Sequence, residues 1–388
     1  MMLVEPSVSA PVDPEADAAT ARMAFREWLK SNREQLDALR PTSADVSHVF
    51  EALRALQRLL HDAGWIRLGW PRDVGGLGGA PLLRSVVAEE LAVAGYPPPF
   101  SFGTQEVLGP AVARFASREL AAEVLPRLLR GDEVWCQGFS EPEAGSDLAS
   151  LQTRAVDDGE VWRVTGQKVW TSWAQVADRC VVLARTGAAD SGRHGITALL
   201  LDMGATGMDL RPLVSMNGDA EFCEIWFDDV VVPRSRTIGS VGGGWDVAMT
   251  ILASERGAAA WQRQTWLRTR LVDLLEQAHL PAPAAGEAME LLHALRVLSR
   301  RTVRRLSDGA PLGVTPSFDK LLLSTAEKFV FDLALEHLPT EVLLETDDRS
   351  SGWRNDWLYA RASSIYGGAA EVQRDIIAER VLGLPRSR

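Results

Sequence analysis

The hydrophobic period of this chain changes twice, and those two changes limit what it can fold into. From about Asp17 to Arg130 apolar residues recur at helical spacing: Ala21, Phe25, Trp28 and Leu29 share one face, and Phe50, Leu53, Leu56 and Leu60 share another. From about Glu133 to Gly239 the pattern shortens to runs such as "EVWRVTG", "RCVVLART", "HGITALLLDM" and "CEIWFDDVVV". These are rich in Val, Ile, Thr and Trp, are separated by the turn signals "DDGE" and "NGD", and read as strands. From Trp245 the helical period returns. "HLPAPAAGEA" breaks it once, and Val372, Ile376, Ile377 and Val381 form the inner stripe of a last helix. Helices, then strands, then helices make an α+β chain rather than an alternating βαβ one. The expected divisions are a loose tail over 1–16, a helical domain over 17–131, a β domain over 132–240 and a second helical domain over 241–388. No strand–GxGxxG–helix unit is present, which argues against a nicotinamide-binding Rossmann domain. The glycines of "VGGLGG" and "VGGGWD" read as tight connections.

Composition removes other classes. The net charge is -11 without a long basic run, which disfavours nucleic acid and acidic membrane surfaces as partners. No run approaches the ~20 apolar residues of a membrane span, and the acidic, proline-bearing N-terminus does not resemble a signal peptide. Cys136, Cys180 and Cys223 are widely spaced and read as reduced thiols, and the six histidines lack metal-ligand spacing. A cytoplasmic protein is the expectation.

Two stretches carry chemistry. "CQGFSEPEAGSDLASLQTRA" (136–155) packs small hydroxyl residues and glycines among acids, and Gly138 and Gly145 would let backbone N–H groups approach a polar ligand. Read alone, Ser146 and Asp147 could equally be caps of a turn. "VTGQKVWTSWAQVADRCVVLART" (164–186) ends a strand in Trp170-Thr171-Ser172, where an indole beside two hydroxyls could seat a flat ring with polar edges. A core tryptophan at a strand end is the plainer alternative.

Together these stretches resemble the acyl-CoA dehydrogenase family of flavoenzymes. "GWPRDVGGLGG", "FDDVVVPRSRTIG" and "EVQRDIIAERVLGLPR" are similar to further family motifs in the correct order, so the resemblance covers nearly the whole chain. It implies an N-terminal helical domain, a middle β-barrel-like domain and a C-terminal four-helix bundle, with FAD between the last two. Gln137, Phe139, Ser140, Trp170, Thr171 and Ser172 match flavin-lining positions. Gly145 and Ser146 match the turn near the ribityl chain and the acyl-CoA entrance, and Ala369 and Glu371 match cofactor positions at the last helix. The implied reaction removes an α-proton and a β-hydride from an acyl-CoA or acyl-carrier-protein thioester, the hydride going to flavin N5. It needs donors for the thioester carbonyl and a carboxylate of raised pKa in a dry pocket. An electron-transferring flavoprotein is the implied acceptor, and a homo- or hetero-oligomer the implied assembly.

In many members the base follows the tyrosine of the C-terminal loop, as Tyr-Glu-Gly. Here the loop reads Tyr366-Gly367-Gly368, and Gly367 cannot take a proton. In "GGGWDVAMTILASERGAAAWQR" a helix starting near Trp245 spaces Val247, Ile251, Glu255 and Ala259 by four, placing Glu255 on its apolar stripe. Taken alone, that is also compatible with a surface Glu–Arg pair. A subset of the family, including isovaleryl and long-chain types, carries its base on this helix in a Glu-Arg pair. The resemblance therefore implies Glu255 as base, with Arg256 supporting the substrate end or the pocket wall.

Three family features are replaced. "WQRQTWLRTRL" stands for Arg-x-x-Phe-Gly, "EVLLETDDRSSGWRNDW" for Gln-x-x-Gly-Gly-x-Gly, and Ala369 for a threonine. The first two usually reach the FAD pyrophosphate or adenine across a dimer interface. The adenine half is then left to other donors, and a heteromeric partner is one source, as in some two-gene dehydrogenases of steroid side-chain breakdown. The other chemistries open to this fold are a flavin oxidase or monooxygenase, and a non-catalytic subunit.

Overall fold

The computed structural model describes residues 10–41, 46–97, 100–188, 190–344 and 348–385. Among these residues six α-helices come first: α1 (Ala18–Ser31), α2 (Arg33–Ala38), α3 (Val46–Asp62), α4 (Leu82–Val93), α5 (Phe100–Phe115) and α6 (Arg118–Arg130). The Asp17 side chain caps α1 by accepting from Thr20 N, and Gly131 ends α6 in the left-handed region at φ 78°. Residues 1–9 of the expected loose tail lie outside the described residues. Its remainder is seated rather than loose, because Ala10 and Val12 pack against the apolar cluster of α1, α3 and α4.

Eight strands follow among the described residues: β1 (Trp135–Gly138), β2 (Arg154–Asp158), β3 (Val161–Ser172), β4 (Arg179–Arg185), β5 (Ile196–Asp202), β6 (Met208–Leu213), β7 (Phe222–Pro233) and β8 (Thr237–Ile238). Their order is β6-β7-β3-β2-β4-β5-β8, with β1 also paired to β4. β4 runs parallel to β1 and β2 and the other pairings are antiparallel, so the sheet is mixed. The "DDGE" signal is the β2–β3 hairpin, where Gly159 takes φ 73°.

The chain then returns to helices: α7 (Gly244–Ser254), α8 (Ala260–Gln277), α9 (Ala282–Ser307), α10 (Thr315–His337), α11 (Pro339–Leu343), α12 (Asp348–Ala360) and α13 (Ala370–Arg380). α8, α9, α10 and α12 share one core built from residues such as Leu267, Leu274, Leu292, Leu295, Phe331 and Trp353. The break expected over "HLPAPAAGEA" is narrower than its composition suggests. α9 begins at Ala282 with proline in its first turn, where the missing N–H costs nothing. The last helix departs from expectation. Ala370 and Gln373 are its buried residues, while Val381 is 50% exposed.

One apolar cluster ties the three regions together. It joins Leu108 and Val112 of α5, Val124 and Leu128 of α6, Val181, Leu183 and Leu200 of the sheet, and Val247, Ala248 and Ile251 of α7. α7 is thus fixed against strands on one side and N-terminal helices on the other, which positions whatever its C-terminal end carries.

Candidate active site

α7 does not run directly into α8. Residues Glu255–Ala259 form a π-helical turn between them. Such turns are rare and concentrate at functional sites. The four-residue spacing from Glu255 to Ala259 read from the sequence therefore fails locally, because the π-turn inserts an extra residue. Gly257 accommodates it: a Cβ there would meet Leu306 Cδ1 at 2.9 Å.

Glu255 turns its carboxylate to the C-terminal loop. Gly367 has φ +62°, and a Cβ on it would lie 2.8 Å from Glu255 Oε1 and 3.6 Å from Lys320 Nζ. The loop glycine thus vacates the volume that the helix-borne carboxylate borders. Oε2 of Glu255 is sealed from solvent and has no hydrogen-bond partner, although the residue as a whole keeps some exposure. Burial pushes the Glu255 pKa above the ordinary carboxylate value, against the opposing pull of Lys320, Arg256 and Gln137. Arg256, expected at the substrate end or the pocket wall, lies against the C-terminal loop. Its Nε donates to Gly367 O at 3.0 Å, so it braces the loop. Lys320, from α10, stacks its ammonium on the Tyr366 ring at 4.0 Å from the centroid, and burial lowers its pKa to about 8.

The "FSEPEAG" stretch is braced from beneath. Lys168 is fully buried in β3, and its Nζ donates to Phe139 O at 3.0 Å and to Glu141 Oε1 at 2.7 Å. Glu141 also accepts from Gln152 N at 2.6 Å and Thr153 N at 2.9 Å. Burial would raise the Glu141 pKa, but Lys168 beside it holds it below the usual value. Gln137 emerges from β1 beside this loop and reaches Glu255, which links the two halves of the site. The Phe139 ring lies in the core with Trp135 and Leu148, and its carbonyl accepts from Lys168. Ser140 is half-buried and accepts from Val169 N. Gly138 is required by sheet packing rather than by a ligand, since a Cβ would meet Cys180 Sγ and Val182 Cγ2 at 3.2 Å. Gly145 and Ser146 are exposed, and a Cβ on Gly145 would meet open space. Asp147 makes no capping hydrogen bond.

Trp170-Thr171-Ser172 has the geometry of a receptor. The β3–β7 register slips between Lys168 and Thr171, and at this bulge Trp170 takes φ 60°. The indole is consequently 61% exposed, edge-on to Phe222. Thr171 is fully buried, yet its Oγ1 has no partner. Beside Gly368 of the C-terminal loop, Gln373 of α13 is likewise buried, with both amide atoms unpartnered. These residues fit a flat group with polar edges: an exposed indole offers a face and orphaned hydroxyl and amide groups offer hydrogen bonds. A flavin, the cofactor that the sequence resemblance implies, answers that description. Ser172 is half-buried at the end of the same strand. Ala369 directly precedes α13, while Glu371 points outward and, among the described residues, pairs with Arg374.

Three families of sequence models match in register with this layout. The acyl-CoA dehydrogenase N-terminal domain covers residues 19–132, the middle domain 136–230 and the C-terminal domain 242–382. The acyl-CoA dehydrogenase IpdE1 of Mycobacterium tuberculosis is 36% identical over 384 residues, covering 95% of this chain and 98% of that protein. The chain belongs to the acyl-CoA dehydrogenase family. As a member it is a flavoprotein oxidoreductase acting on acyl thioesters. Among solved structures, a variant of the Tcur3481-Tcur3483 steroid ACAD aligns with a TM-score of 0.82 at 25% identity, over 95% of this chain and 99% of that one. The ChsE4-ChsE5 complex from Mycobacterium tuberculosis aligns at 0.78 and 26% identity over the full length of both.

Sequence reasoning missed Lys320 and Gln373 as members of this site. Lys320 sits on a helix 65 positions from Glu255 in the chain, and no local pattern marks it. Gln373 did leave a signal: an amide on the buried side of an amphipathic helix needs a partner.

Proposed function

We propose that this chain catalyses FAD-dependent α,β-dehydrogenation of an acyl-CoA thioester, giving the trans-2-enoyl thioester, with Glu255 as the base. The observation that carries the reading is the Glu255 carboxylate itself: buried, unpartnered at Oε2, and facing the glycine where other members place their carboxylate. An α C–H is a weak acid, so its base must be both strong and close. Burial supplies the strength by raising the pKa, and the tight α7–π-turn–loop packing supplies the position. Gln137 and Arg256 hold the carboxylate and the loop in register. FAD, when bound, supplies the acceptor for the β-hydrogen and its electron pair. Trp170, Thr171, Ser172 and Gln373 are the residues that would hold its ring.

The substrate we favour carries a bulky or ring-bearing acyl group, because the aligned complex is named a steroid ACAD. A second, different chain completing the assembly fits the replaced adenine-side motifs. It also fits the apolar end of α13, where Val381, Leu382 and Leu384 are 50%, 65% and 53% exposed. Reduced flavin would pass its electrons to an electron-transferring flavoprotein, and three buried free thiols suit a reducing cytoplasm.

The test is anaerobic mixing of the flavin-loaded protein with straight-chain, branched and steroid-bearing acyl-CoA thioesters. Wild type bleaches the flavin bands with at least one of them. Glu255→Gln retains the bands and loses bleaching and α-proton exchange by roughly 10²–10⁴-fold. Bleaching at the wild-type rate in Glu255→Gln would remove Glu255 from the mechanism.

A further inference from the structure

Burial that makes Glu255 a strong base also tends to leave it protonated, and a protonated base is useless. The groups facing Glu255 are Gln137, Arg256, Lys320 and Tyr366. Arg256 has Nε committed to the Gly367 carbonyl. Tyr366 is buried and its pKa is raised, so it stays neutral. Gln137 carries no charge. Lys320 is different. Its residue is 4% exposed, and its Nζ borders the same vacant Cβ position of Gly367 that Glu255 Oε1 borders. Ammonium and carboxylate therefore flank one vacant side-chain position. Glu327, the other carboxylate near Lys320, is buried and pairs through Oε1 with partly exposed Arg263, so it already has a cation other than Lys320.

We infer that Lys320 is a positioning residue for proton abstraction: across the gap left by Gly367, its ammonium keeps the Glu255 carboxylate charged and aimed, without occupying the lone pairs of Oε2. The Tyr366 ring clamps the ammonium in place from one face through a cation–π contact. The α-proton moves from carbon to Glu255, and Lys320 neither gains nor loses one in that step. A charge placed beside the base, rather than hydrogen-bonded to its reactive oxygen, favours the ionised form and leaves the acceptor site open. The inference rests on the reading of Glu255 as the base.

The experiment uses the flavin-loaded protein and two readouts. The first is an infrared pH titration of the protonated-carboxyl band that disappears in Glu255→Gln, which needs no substrate. The second is the pH profile of flavin bleaching, with the acyl-CoA thioester that bleaches fastest in the panel above. Lys320→Met should move the carboxyl midpoint and the acid limb up together, by about one pH unit. Bleaching then falls about tenfold on the acid side and recovers at alkaline pH. Lys320→Arg should restore both, and Lys320→Gln serves if the Met variant fails to fold. An unmoved carboxyl midpoint in a folded neutral variant overturns the inference. So does a rate loss equal at every pH and unrescued by arginine, which would mark a purely structural lysine. If Glu255→Gln bleaches normally, it is the base assignment that has failed, and the infrared midpoint still reports whether the two charges are coupled.

Discussion

Gly367→Ala is the perturbation that most directly probes how the site is packed. Two costs can be worked from the structure. At φ +62° an alanine pays the left-handed penalty, roughly 1–2 kcal/mol. Its Cβ would also sit 2.8 Å from Glu255 Oε1, where ordinary contact begins at 3.4 Å, so carboxylate or loop must retreat by about half an ångström. Misplacing a catalytic group by ~1 Å can cost ~10²-fold, so a loss of about tenfold in the bleaching rate is expected. The two costs separate in a double-mutant cycle on the flavin-loaded protein, read by denaturant unfolding. Glu255→Ala alone should be neutral or stabilising, because it removes a carboxylate with an orphaned buried oxygen. Gly367→Ala should then cost only its backbone term in the Glu255→Ala background and about 1 kcal/mol more in wild type. Equal costs in the two backgrounds would refute the claim that these residues compete for one volume.

Two further substitutions test the surroundings. Glu141→Ala strips the partner from fully buried Lys168 and from two backbone N–H groups. It should destabilise by about 3–5 kcal/mol and lower the flavin content of purified protein, and an unchanged unfolding midpoint would show that the brace is dispensable. Asp319 is fully buried, accepts from the Thr302 hydroxyl, leaves Oδ1 unpartnered, and is pushed by burial from 3.8 up to about 7. Since the folded pKa lies above the unfolded one, the native state holds the extra proton. The stability this group contributes is full below about pH 4 and is lost as pH rises through 7. Asp319→Asn should therefore match wild type in Tm near pH 4–5 and exceed it at pH 8, and parallel Tm–pH curves would contradict this.

The helix–strand–helix series was readable because each period follows from which face is buried. The apolar stripes of α1 and α3 and the alternation in β3 and β7 are local facts about residues that pack locally. What local patterns could not show was the π-turn. Glu255, Arg256 and Gly257 look like ordinary helix residues in the sequence, and the distortion arises where Gly257 meets Leu306 and the chain must pass from α7 to α8. The stripe read on α13 failed for the opposite reason. Its periodicity is real, but Gln373 occupies the inner side, and Val381 and its neighbours project beyond the chain's own core. Glu255 was legible because a carboxylate interrupting an apolar stripe is conspicuous. Lys320 was not, because its relation to Glu255 exists only after α10 and the loop of Tyr366 converge on the π-turn.

The treatment of buried carboxylates across the molecule separates scaffold from site. Glu89 and Glu90 are held by Arg22 and Arg26, with Arg296 added at Glu89; partly buried Glu106 is held by Arg84, and Glu133 by Arg179, Glu141 by Lys168 and Glu327 by Arg263. Each of these pairs brings charge within hydrogen-bonding distance, which is what burial demands of a group with no other task. Asp319 Oδ1 and Glu327 Oε2 are also unpartnered, so an orphaned oxygen does not by itself mark a site; Glu255 is distinguished by what it faces. It faces two cations without either one closing on Oε2, and the nearer space is kept empty by a glycine held at positive φ. A fold whose only requirement was stability would have filled that gap with a side chain or closed the ion pair. Keeping the carboxylate buried and uncommitted costs stability, and under the proposed reading that cost leaves Oε2 free to receive a proton from something that enters the space.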